Sequence, residues 1–221
     1  MDLVSKHEGT LFRIGVVISA IFWLLLVGAT FGIALVYLLL FFIFYLFAQS
    51  SFITLLKGNG VRISEKQYAE LHQRVVRCCE QLEITEMPEA YLLRTDFFNA
   101  LATKFLRRNY IVLFTDVVDA LEKRPDAIDF YIGHELGHID QKHLTWGWFL
   151  FPAMLLPILG AAYRRAQEYT CDRYGSACCN DENDIKAAIA AIAAGDTHWK
   201  SINTDAYLEQ ARQSVEFWMS F

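Results

Sequence analysis

His134-Glu135-Leu136-Gly137-His138 is the stretch on which the reading of the whole chain turns. On a helix, the four-residue step from His134 to His138 turns about 400°, so both imidazoles leave one face roughly 6 Å apart along the axis. That separation suits two nitrogen donors to one zinc ion. Zinc takes borderline ligands in a tetrahedral array and, for catalysis, leaves one position to water. Glu135 lies about 100° further round, within reach of that water as a base. The plain alternative is a helix with solvated or core histidines. The motif helix is expected over Asp126 to Leu144, with Pro125 at the first turn, where its missing N–H is harmless. Gly133 and Gly137 lower its propensity and leave room for a strand or second helix beside the histidines.

A catalytic zinc needs a third protein ligand, with outer groups to hold the first ones. The segment Ala162 to Cys179 offers Glu168 and Asp172, again four apart and on one face of a helix able to cross the first. Glu168 supplies a carboxylate oxygen, and Asp172 accepts the remaining ring N–H of a ligand histidine. Each has an ordinary alternative: Glu168 paired with Arg164 or Arg165 at the surface, and Asp172 balancing Arg173.

Upstream, no charged residue occurs from Ile14 to Phe47, a stretch too long for a single span of about 20 residues. Gly28, Ala29, Thr30 and Gly32 sit at its middle, so it reads as a transmembrane hairpin, about 11–27 and 31–56, rather than a cleaved signal peptide. Lys6 and Arg13 precede it and Lys57, Arg62 and Lys66 follow, which puts both ends in the cytoplasm. The composition, 54% hydrophobic with a mean hydropathy of +0.24, owes its excess to this stretch. Five cysteines without a CxxC spacing suit a reducing compartment. A net charge of −5 provides no basic patch and no case for nucleic acid as a partner.

Between anchor and motif, Ser64 and Gln67 form a capping-box pattern ahead of a stripe of Tyr68, Leu71, Val75, Cys78 and Leu82, a core-facing helix. Ala90 to Leu93 reads as a short strand. Phe97 to Phe105 and Tyr110 to Thr115 read as an antiparallel hairpin, followed by a short helix from Thr115-Asp116 to Glu122. Asn99-Ala100-Leu101-Ala102-Thr103 is short-chained enough for an extended peptide to approach its edge, or it is an ordinary edge strand. Thr145 to Tyr163 is uncharged and scores as a span by length. A single crossing there would part Glu168 from His134 and His138 by a bilayer. The segment is therefore expected to be a surface or embedded element broken at Pro152 and Pro157, or a core helix. Asp181 or Asn183 caps a helix from Ile185 to Ala194 that Gly195 ends, and Thr204 caps another from Ala206 to Trp218.

Taken together, Asn99 to Thr103, Ile111 to Asp116, His134 to His138 with His143, and Tyr163 to Arg173 resemble the membrane-anchored zinc metallopeptidases of the HtpX and CaaX-prenyl-protease type, within the gluzincins. The resemblance implies an α+β, mainly helical fold. Residues 1–57 would be the two-span anchor, and 58–221 a zincin-like domain with a small antiparallel sheet. It implies a zinc-dependent endopeptidase of the bacterial inner membrane, acting in membrane-protein quality control, with the catalytic domain cytoplasmic. One zinc per chain would be held by His134, His138 and Glu168, with Glu135 as base and Asp172 behind the ligands. A polypeptide substrate would lie along Asn99, Ala100, Leu101, Ala102 and Thr103. Family members carry a later histidine-proline element followed by arginine. Here His198 and Arg212 are the late candidates, neither in that pattern, with His198 for stabilising the transition state, which leaves an inactive zinc-binding membrane scaffold as the alternative. The apolar run Val215 to Phe221 is expected either to mark a truncation or to dock on the domain.

Overall fold

Two apolar helices open the chain, α1 (Glu8–Ala29) and α2 (Ile33–Asn59), joined by a turn in which Gly32 takes a φ of 84°. This positive φ is open to glycine because there is no Cβ to clash. Both are long and apolar enough to cross a membrane, and large side chains such as Leu24, Tyr37 and Phe47 stand exposed along them. The computed structural model describes residues 3–94, 100–105, 108–203, 205–207, 209–210 and 213. Asn99, Thr204 and the Val215 to Phe221 run lie outside the described residues.

The architecture is α+β and mainly helical. After β1 (Val61–Arg62) come α3 (Ala69–Gln81), β2 (Glu89–Leu93), β3 (Ala100–Phe105) and β4 (Arg108–Phe114). The helices that follow are α4 (Thr115–Ala120), α5 (Ile128–Asp140), α6 (His143–Met154), α7 (Pro157–Cys178) and α8 (Glu182–His198). The expected capping box is not formed. Ser64 and Gln67 instead exchange backbone hydrogen bonds in an isolated bridge, and α3 begins after Tyr68, whose backbone is left-handed.

The sheet is mixed, where a wholly antiparallel one was expected. Its order is β1-β2-β4-β3: the β3–β4 hairpin is antiparallel, but β4 lies parallel to β2. The reason is visible in β4, where Tyr110 to Phe114 are all buried. A strand covered on both faces takes a central place, with β3 at the edge. Ile111 and Leu113 face the main core with Val75, Phe130, Ile132 and Leu136. Tyr110, Val112 and Phe114 face the other way, onto Ile53 and Leu56 at the end of α2. Each such fully buried aliphatic side chain contributes about 1.5–3 kcal/mol.

The motif helix is shorter than expected. It starts with a 3-10 turn at Pro125–Ala127 and stops at Asp140, because Lys142 adopts a left-handed φ of 60° and restarts the chain as α6. α5 is buried nearly all round, which accounts for its weak amphipathic signal. Behind it, Asp129 is fully buried and paired with Arg74, at 3.2 Å, and with Arg77.

The uncharged stretch after the motif is two helices. α6 is 12 residues long, about 18 Å, too short to span a bilayer. The chain reverses between Met154 and Pro157, where a Cβ on Gly160 would lie 2.3 Å from the Met154 carbonyl oxygen, so only glycine allows the approach. α6 wedges between the first two helices: Trp146 meets Phe12 of α1, and Trp148 meets Phe41 and Tyr45 of α2. Pro152 removes one helix N–H here, and α1 supplies partners beside it. Trp23 donates to the Phe149 carbonyl at 2.9 Å, and the Ala153 N–H donates to Ser19 at 3.3 Å.

At the far end, the Asp181 side chain accepts the Asn183 N–H to cap α8. Helical backbone is interrupted at Gly195, with a φ of 74°.

Candidate metal centre

α5 and α7 lie against each other through glycines. A Cβ on Gly133 would come 2.7 Å from Cys178 Sγ and 2.9 Å from the Gly175 Cα, and one on Gly137 3.1 Å from the Cys171 Cα. Contacts step backward along α7 as they step forward along α5, from Phe130 with Gly175 to Gly137 with Cys171, so the helices run antiparallel. This close pairing brings the sequence-derived candidates into one cup.

His134 Nε2 lies 3.4 Å from one oxygen of Glu168, and His138 Nε2 lies 4.0 Å from the other. The two rings are 5.1 Å apart, centroid to centroid. The second nitrogen of each is occupied elsewhere: His134 Nδ1 is 3.0 Å from Asp172 Oδ1, and His138 Nδ1 is 3.0 Å from His143 Nδ1. Both Nε2 atoms therefore converge on one carboxylate with their outer nitrogens engaged, an arrangement that fits a zinc ion. Glu135 is buried, and its charge acts on His134 and Cys171.

Electrostatics separate the two histidines. Burial opposes charge on His134, but hydrogen bonds to Asp172 and Glu168 and the charge of Glu135 outweigh it, lifting its pKa to about 10. Burial, with His134 and His143 nearby, pushes His138 down to about 4. The hydrogen bond with His134 holds Glu168 below the usual carboxylate range despite some burial.

Cys171 is a neighbour that sequence reasoning missed. Its sulfur and one nitrogen each of His134 and His138 lie within 4.8 Å of one another. Two donor sets are therefore available, and Glu168 is the third donor from which no proton has to be removed. Burial, then the carboxylates of Glu168 and Glu135, push the Cys171 thiol up, keeping it protonated, whereas Glu168 is ionised.

Glu8 was also missed, and His143, one of the residues carrying the resemblance, had been given no role beside His138. Had the motif helix continued to Leu144, His143 would stand about 140° round from His138. The left-handed turn at Lys142 returns it to within hydrogen-bonding distance. Glu8 was legible in one respect: it is the only acidic residue from Leu3 to Ser64.

Of the remaining candidates, Ala100 to Thr103 belong to edge strand β3, and Thr103 accepts a hydrogen bond from Gln49 of α2. His198 is exposed at the end of α8, and among the described residues no hydrogen bond or ion pair joins it to His134, His138 or Glu168.

Compared with known proteins, residues 65–151 match the family model of Peptidase family M48. The matched stretch includes His134, Glu135, His138 and His143 but ends before α7, so it does not reach Glu168 and Asp172. No curated protein and no solved structure matches the chain.

Proposed function

We infer that this chain is a membrane-anchored zinc-dependent endopeptidase. One zinc is held by His134, His138 and Glu168, Glu135 is the base, and Asp172 fixes His134. The observation that carries the reading is the convergence of two imidazole Nε2 atoms on the Glu168 carboxylate, at 3.4 and 4.0 Å, within a chain that matches a peptidase family through its histidine motif.

When bound, zinc supplies a Lewis acid that polarises the scissile carbonyl and makes water a nucleophile near neutral pH. The chain's own residues do the rest. Glu135 accepts a proton from the attacking water, holds it, and passes it to the leaving amine nitrogen. Asp172 keeps the His134 proton on Nδ1, so that Nε2 remains a donor. β3, the edge strand of the sheet among the described residues, would pair its outer backbone groups with an extended peptide at Ala100 to Thr103.

Residues 1–57 form the anchor and 58–221 the catalytic domain. α1 and α2 expose apolar side chains along lengths of about 33 and 40 Å, enough to span the hydrocarbon core, and lipid is the solvent that suits them. Lys6 and Arg13 before the hairpin and Lys57, Arg62 and Lys66 after it favour a cytoplasmic catalytic domain, as in the inner membrane of a bacterium. The α6–α7 turn, with Leu155 and Ile158 exposed at its tip, dips into the bilayer without crossing it. The metal centre would then stand at the membrane surface, suited to membrane-protein quality control.

The test is metal content and chelator-sensitive cleavage of casein or an unfolded membrane protein by the detergent-purified chain, beside Glu135→Ala. Zinc at one per chain, cleavage by wild type, and none by the variant are expected. Undiminished cleavage by Glu135→Ala overturns the mechanism. Zinc binding without any proteolysis by the wild type selects the inactive scaffold.

A further inference from the structure

Glu8 opens α1, where an acid would ordinarily be solvated, yet its side chain is only 8% exposed. One of its oxygens lies 2.8 Å from His143 Nε2, and the other accepts a hydrogen bond from the fully buried Thr170 of α7. Thr170 also accepts the Ser5 N–H at 2.9 Å, so the hydroxyl that holds the carboxylate to α7 is itself held by the chain ahead of α1. His143, 5% exposed, in turn sets its Nδ1 3.0 Å from His138 Nδ1. Glu8, His143 and His138 thus form an unbroken row, buried at Glu8 and His143 and half-buried at His138, that ends at the metal cup.

Such a row has one consistent placement of protons when His138 gives its Nε2 lone pair to a metal. The His138 proton is then on Nδ1 and is donated to His143 Nδ1, which is bare. The His143 proton is therefore on Nε2, donated to Glu8. An ionised carboxylate only accepts, so Glu8 fixes the direction of the whole row. The reverse placement would face two N–H groups at each other and set a bare ring nitrogen against the carboxylate. Asp172 does the same for His134 with one step fewer.

Resting on the zinc assignment above, we propose that Glu8 is a positioning residue for the metal centre, holding His138 through His143 in the tautomer and orientation that aim its Nε2 at Glu168. The contact also makes the head of the first apolar helix part of the centre. Displacing α1 from α7 would release His143 and loosen one ligand, which ties metal binding to how the N-terminal helix is seated.

Histidine nitrogen-15 spectra of the zinc-loaded, full-length protein in micelles test this without a mutation. The His143 proton is expected on Nε2 and the His138 proton on Nδ1; a His143 proton on Nδ1 overturns the proposal. Two variants add an independent arm. Glu8→Gln keeps an oxygen toward His143, its amide turned to Thr170, whose hydroxyl then donates to the Ala166 carbonyl, 3.1 Å away. Glu8→Met removes the acceptor at similar volume. Chelator competition should show zinc held about 10- to 100-fold more weakly by Glu8→Met. Its cobalt-substituted visible spectrum should shift, while Glu8→Gln stays near wild type. Wild-type affinity with an unchanged cobalt spectrum in Glu8→Met overturns the proposal, and if that variant does not fold, the wild-type histidine spectra decide. A wild type that takes up no zinc, or a Glu168→Gln variant that binds it equally well, brings down the zinc assignment itself. Normal zinc uptake with the wrong His143 tautomer brings down only the role of Glu8.

Discussion

Gly133 on α5 faces Gly175 on α7 so closely that a methyl group on the first would sit 2.9 Å from the Cα of the second. The other nearest atoms, the Tyr174 carbonyl oxygen at 2.8 Å and Cys178 Sγ at 2.7 Å, leave it no way out. Because His134 is the next residue and its partners Glu168 and Asp172 are on the opposing helix, this contact sets the width of the metal cup.

Gly133→Ala should therefore force the helices apart. Overpacking of about 1–3 kcal/mol outweighs the gain in helix propensity of about 1 kcal/mol. A lower melting temperature and faster zinc release are expected. Gly147→Ala, on α6 with nothing within 4 Å of its Cβ, is the contrast and should hold or raise stability. Equal melting temperatures for the two variants would refute the close-packing argument.

Asp172 is half exposed, so its value lies in the bond to His134 Nδ1 rather than in bulk. Asp172→Asn can present an amide N–H to that nitrogen and favour the wrong tautomer. Zinc affinity should fall about 10- to 100-fold with little change in the melting temperature of the metal-free protein. Competition against a chromophoric chelator reads the first, and circular dichroism the second.

The raised pKa of His134 predicts how pH acts on the metal-free protein. A folded-state value of about 10 against an ordinary 6.5 means that the proton stabilises the fold fully below pH 6.5, a contribution lost as pH rises through about 10. Zinc must displace this proton, so its affinity should climb about tenfold per pH unit within that window. His138, held at about 4, is already neutral there and adds nothing. Affinity that stays level from pH 7 to 9 would contradict the assignment of His134 as a ligand.

Asp129 anchors α3 to the back of α5. Asp129→Ala strips Arg74, whose side chain is 9% exposed, of its most buried partner, while Asp126 at 2.9 Å and Glu70 at 3.3 Å remain. The surviving pairs hold the loss to about 3 kcal/mol, the low end for breaking a buried ion pair. Urea titration of the solubilised protein measures it, and a change below 1 kcal/mol would show that the buried pair contributes little.

Much of this molecule was written in local pattern. The apolar hairpin is disclosed by a long uncharged run, while the stripe of Leu71, Val75 and Cys78 and the spacings of the candidate ligands on α5 and α7 are set by one turn of helix. That Thr145 to Tyr163 is not a single span was also expected, and the break near Pro157 agrees with that reading.

What escaped depended on neighbours far along the chain. The parallel pairing of β2 with β4 follows from both faces of β4 being covered, by α5 on one side and the end of α2 on the other. Ser64 and Gln67 spell a capping box yet form a bridge, since the left-handed backbone of Tyr68 starts α3 later. Glu8 lies 135 positions from His143 and 162 from Thr170. The sequence alone marked which side chains are suited to metal chemistry and on which helices they lie. Only the tertiary structure decided that an acid at the head of the first helix reaches that chemistry, because hydrogen bonds between buried groups depend on where helices pack.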